Sequence, residues 1–238
     1  MSDAGTGRGK RWLLLALCLL GLVLFTGLGT WQVERRAWKL DLIARVNQRV
    51  HAPPVPLGPA PTWSGWSNPR EAEYRHVSVT GTFAHDRTTL VDALTELGAG
   101  YWVLTPMRTA DSTVLINRGF LPRDQKGRAD RPTGPVTVTG LLRLSEPNGR
   151  FLRPNKPAQD LWYSRDVAAI ARRRGLGPVL PFFVDADATR NPGGWPRGGL
   201  TVIQFRNTHL LYALTWFGLA ALSLVGLVLL LRPAHKRG

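Results

Sequence analysis

At 238 residues, with a formal net charge of +15 and 44% hydrophobic residues, the chain has material for one folded domain plus membrane segments rather than two full domains. Its one cysteine, Cys18, excludes an intramolecular disulfide, thiolate copper delivery, multi-cysteine zinc sites and iron-sulfur clusters. Most of the basicity lies between two apolar runs and accompanies no zinc-finger, helix-turn-helix or single-strand-binding signature. It therefore points away from nucleic acid and toward anionic membrane lipids, an acidic partner surface or the carboxylates of a ligand.

Residues 1–11 are a short leader carrying Arg8, Lys10 and Arg11. From Trp12 to Val33 no charged residue occurs, and as helix the stretch from Trp12 to Trp31 rises about 28 Å, close to the thickness of a bilayer core. The run is too long for the apolar core of a cleaved signal peptide, and the leader is too short for an organelle transit peptide. An uncleaved anchor in a bacterial plasma (inner) membrane is expected. Glu34 to Val50 alternates Arg35, Arg36, Lys39, Arg45 and Arg49 with apolar residues at helical spacing, so it reads as an amphipathic continuation of the spanning helix. Gln32, at the exit, can hydrogen-bond between helices, and a solvated amide at the interface fits its position equally well.

The Pro-rich stretch 52–69 can be neither helix nor central strand and reads as a stiff connector, with Trp63 and Trp66 pinning it. Tyr74 to Phe83 alternates as a half-buried strand, and Thr88 to Ala93 is expected to pair with it across a turn at His85-Asp86. Further strands are expected at Gly100 to Arg108, Thr113 to Leu121, Pro135 to Leu144 and Pro181 to Val184, with a hairpin at Thr109 to Ser112. Asp166 to Arg174 predicts a short helix, capped by Ser164 or Asp166 and closed by Gly175. Asn191 to Gly199 reads as a turn, and Leu200 to Phe205 as a last strand.

Residues 207–231 contain no Asp, Glu, Lys or Arg and predict a second spanning helix; residues 232–238 form a tail with Arg232, Lys236 and Arg237. The basic flanks place both termini in the cytoplasm and residues 34–206 in the periplasm. The fold class that follows is an α+β membrane protein in which N- and C-terminal transmembrane helices flank one mostly antiparallel β-sheet domain with a short helix.

No phosphate-cradling glycine loop, nucleophile elbow, His-Glu-x-x-His or dinucleotide fingerprint occurs, so no residue is assigned a catalytic role and the chain is not expected to be an enzyme. His51, His76, His85 and His235 lack metal-site spacing and read as surface or packing histidines. His209 differs. It opens the second apolar run, and on a helix it shares a face with Tyr212, Trp216 and Ala213. An ionisable group at this position turns toward protein, water or a ligand, and neutral imidazole is a common ligand of haem iron. An interfacial histidine within an aromatic belt fits the same spacing.

Four stretches together resemble the Surfeit locus protein 1 family. They are Gly29-Thr30-Trp31-Gln32 with Arg35, Arg36, Trp38, Lys39 and Leu42; Gly100-Tyr101-Trp102-Val103-Leu104-Thr105-Pro106; Val114-Leu115-Ile116-Asn117-Arg118-Gly119-Phe120-Leu121-Pro122; and Asn207-Thr208-His209-Leu210-Leu211-Tyr212-Ala213-Leu214-Thr215-Trp216-Phe217. Phe120 stands where the family often has Trp. The resemblance implies a factor for assembling cytochrome c oxidase, which transiently binds haem a and helps its insertion into subunit I, with His209 as axial ligand of the haem iron. It also implies subunit I and haem a synthase as partners. A haem-free scaffold that stabilises subunit I during assembly is the alternative. For Arg118 the plainer expectation is a structural ion pair at a strand end, ahead of a haem-propionate contact.

Overall fold

The computed structural model describes residues 3–58, 72–189, 191–201, 203, 205 and 207–232; Trp63, Trp66, Arg206, His235, Lys236 and Arg237 lie outside them. The chain divides into two compact units, Met1–Arg45 with Gln204–Gly238, and Val46–Ile203.

The first unit is a helix pair. Helix α1 runs Asp3–His51, without a break between the apolar run and its amphipathic continuation, because no proline or glycine pair interrupts the pattern. Both α1, over Gly9–His51, and the 23-residue segment His209–Leu231, called α3 below, are long and apolar enough to cross a membrane.

The second unit is a seven-stranded sheet that closes on itself. Its strands are β1 (Val55–Pro56), β2 (His76–Phe83), β3 (Thr89–Thr95), β4 (Gly98–Arg108), β5 (Thr113–Pro122), β6 (Pro135–Leu144) and β7 (Val179–Ala186). Pairing runs β1-β2-β6-β7-β5-β4-β3, and β2 also pairs with β4 at Thr82↔Arg108 and Phe83↔Met107. Strands β2, β6, β7, β5 and β4 thus form a ring, with β1 and β3 as flaps. The pairs are antiparallel except β1–β2 and β5–β7. Two sequence expectations need correction. Strand β3 pairs with β4, not β2. No strand forms among the described residues of Leu200 to Phe205: Gly199 N donates to Ala186 O and the Thr201 hydroxyl to Asp185 instead.

All five ring strands contribute to one buried cluster, which includes Val77, Val79, Met107, Val114, Ile116, Leu142, Phe182 and Val184. The residues between them face the other way, and Leu104, Leu115 and Phe183 gather with Trp162, Val167 and Ile170 in a second cluster. Helix α2, Val167–Arg174, covers this outer face. Asp166 caps it by accepting from Ala169 N at 3.0 Å, and Gly175 ends it at φ +58°.

Candidate functional site

His209 is the first residue of α3, and its Nδ1 lies 2.8 Å from Oε1 of Gln32 on α1. Gln32 is buried and His209 partly so. An amide oxygen can only accept, so the ring donates through Nδ1, and in the neutral imidazole the lone pair is then on Nε2. Metal-ligating histidines are held this way, with the other ring nitrogen donating to a fixed acceptor that sets tautomer and ring orientation.

Small residues let the helices approach here. A Cβ built on Gly29 would stand 2.6 Å from the Phe217 ring, and Ala213 is buried. One turn further along, Phe25 and Trp216 stack with ring centroids 5.7 Å apart. At the far end the Arg11 guanidinium donates to Leu230 O at 2.6 Å. Of the three residues singled out on α3, His209 and Trp216 thus turn toward α1, whereas Tyr212 is exposed on the helix pair.

Among the described residues no three His, Cys, Asp or Glu side chains gather to hold a bare metal ion. A single imidazole whose Nε2 has no hydrogen-bond partner among the described residues could hold an iron that brings its other ligands with it, as haem iron does.

The sheet unit holds a polar centre that the sequence reading did not find. Asp185 is buried in the apolar run of β7 and accepts from Asn117 at 2.7 Å, Arg143 at 3.1 Å, Arg165 at 3.1 Å and Thr201 at 3.0 Å. Arg165 also pairs with Glu146. Burial alone would raise the Glu146 carboxyl, but hydrogen bonds and charge from Arg165 win and hold it below the usual range. The signal was one carboxylate inside Pro181-Phe182-Phe183-Val184-Asp185-Ala186, but its partners come from four other segments.

Asn117-Arg118-Gly119 is fully engaged in structure. The Asn117 amide spans Asp185 and Gly119 N. Arg118 is buried, donates to Asp130 O at 2.6 Å and to Asn191 Oδ1 at 3.4 Å, and lies 4.9 Å from the Phe83 ring centroid. Burial lowers its pKa, with Asp130 opposing. Gly119 has φ +120°, and a Cβ there would stand 2.0 Å from Arg197 O, so no other residue fits.

Two further described histidines bond backbone carbonyls: His51 Nδ1 to Asn47 O, and His85 Nε2 to Pro132 O. His76 is doubly held, by Ala52 O at 2.8 Å and by Asp187 at 2.7 Å.

Comparison with known proteins adds a family. The model described as the SURF1 family matches residues 19–221. Surfeit locus protein 1 of Rattus norvegicus is 39% identical over 216 residues, covering 82% of this chain and 68% of its own. The Homo sapiens protein of the same name is 39% identical over 236 residues, covering 89% and 74%. A SURF1-like protein of Monosiga brevicollis is 37% identical over 249 residues, covering 97% and 91%.

Proposed function

Because the chain belongs to the SURF1 family, we propose that it is a membrane factor for assembling cytochrome c oxidase, and that it holds haem a transiently at the helix pair before insertion into subunit I. The observation that carries this reading is the His209–Gln32 bond, which orients the ring and leaves Nε2 without a partner among the described residues. When bound, a haem would supply an iron that accepts an imidazole nitrogen. His209 would hold that iron, Gln32 would hold the ring's tautomer, and the rings of Tyr212 and Trp216 would offer apolar surface for a porphyrin. No turnover is required of such a carrier. Subunit I is the acceptor and haem a synthase the donor in this scheme. On the reading of the basic flanks residues 34–206 lie on the non-cytoplasmic side, which is the periplasm if the membrane is a bacterial plasma membrane.

The absorption spectrum of the full-length protein, purified from cells that make haem a, tests the proposal. A Soret band near one haem per chain is expected. Haem-free protein that co-purifies with subunit I would instead favour a scaffold.

A further inference from the structure

Between β6 and α2 the chain makes a tight turn, Arg150–Arg153, closed by Arg150 N to Arg153 O at 3.0 Å and Arg153 N to Arg150 O at 2.9 Å. The two residues at its tip are Phe151 and Leu152, 90% and 85% exposed. Leu152 has φ +60°, a conformation that glycine takes freely and a leucine does not. A glycine would relieve both the backbone and the exposure. Two large apolar side chains stand there instead, which calls for something outside the domain to receive them.

The surroundings say what that is. Asp92 on β3 pairs with Arg123 at 3.1 Å and with Arg153 at 3.5 Å, while Arg150 donates to its carbonyl at 3.1 Å. Two guanidiniums share the Asp92 carboxylate and a third binds its backbone carbonyl, so three cations surround one carboxylate, leaving two positive charges in excess. Lys156 beyond the turn and Glu96 at the end of the β3–β4 hairpin add one charge of each sign. Leu94, two residues from Asp92 and so on the same face of β3, is 78% exposed.

We propose that this tip contacts the bilayer surface, with Phe151, Leu152 and Leu94 entering the boundary between headgroups and acyl chains and Arg123, Arg150 and Arg153 binding anionic lipid phosphates. Apolar side chains ringed by cations with long aliphatic stems are what such a boundary accepts. A two-residue tip offers far less than the roughly 800 Å² per partner of a stable protein interface. A domain continuous at both ends with membrane-crossing helices needs only a weak contact, because the tether raises the local concentration of bilayer.

The test uses the full-length chain with Cys18→Ala and Leu152→Cys, the latter carrying an environment-sensitive fluorophore, in nanodiscs of phosphatidylcholine alone or mixed with phosphatidylglycerol. Emission should shift to the blue and be quenched by spin-labelled lipid in the anionic discs only. Combining Arg150→Gln with Arg153→Gln, or raising the salt, should at least halve the shift. A label at Asp111→Cys, on the exposed Thr109–Ser112 turn, should stay aqueous throughout. Equal melting temperatures of the variants would verify that the fold is kept. A label at 152 that is as water-exposed as the one at 111 in both lipids overturns the proposal. So does burial that needs added oxidase subunit I and is indifferent to lipid charge, since the tip is then a protein-docking turn.

Discussion

An imidazole at the end of a spanning helix has two nitrogens to satisfy, and His209 satisfies one of them on Gln32. If Gln32 sets the tautomer, Gln32→Leu should weaken haem binding by about 10–100-fold while leaving the ligand in place. Titration of the purified variant with haem, read at the Soret band, measures this; unchanged affinity would mean that the bond serves only helix packing. Arg118→Ala provides the contrast. It leaves Asp130 O and Asn191 without their partner and should cost about 1–3 kcal/mol of stability, seen in the melting temperature, without bleaching bound haem. A pH dependence belongs to His76. Both of its nitrogens face oxygen acceptors, which favours the protonated ring. Burial pushes its pKa down, but the bonds to Asp187 and Ala52 O outweigh that and the net direction is up. The stability it contributes is full below the ordinary imidazole pKa of about 6.5 and is lost as pH rises through the higher folded value. Thermal unfolding across that window should show the loss, and His76→Gln should flatten it.

The helix pair is an element whose ingredients could be read from the chain. Apolar length gave both helices, and Gln32 stood out as a polar residue able to bond across them. That its partner is His209 was not legible, because pairing depends on how the helices pack, which Gly29 controls. Gly29→Leu would drive a side chain into the Phe217 ring and should separate the helices, losing haem binding although His209 and Gln32 are both intact. The same Soret titration tests this, with membrane insertion checked by fractionation. In the sheet, β3 was assigned to the wrong neighbour for a reason that can be named. Ala84 to Thr88 contains no glycine or asparagine to make the tight turn a hairpin needs, and the chain takes a short 3-10 turn at His85–Arg87 instead. Gly98, at φ +99°, marks the true hairpin between β3 and β4.

At the scale of the whole molecule, strand positions followed from alternation, and β6 matches its expected span, Pro135–Leu144. Ring closure through β2 and β4 did not, because period two reveals which face is buried but not which edge is paired. Asp185 was hidden for the same reason. Orientation in the membrane rests on the basic flanks, and a reporter active only in the cytoplasm, fused after Gly134, should stay silent; activity would invert the proposed topology. The central claim, that His209 ligates haem iron, is tested most directly by His209→Gly with added imidazole. The variant should lose the parent spectrum and regain it when free imidazole fills the vacated position. A His209→Gly protein that keeps the parent Soret intensity and ligand-field bands without imidazole would show that the iron is held elsewhere.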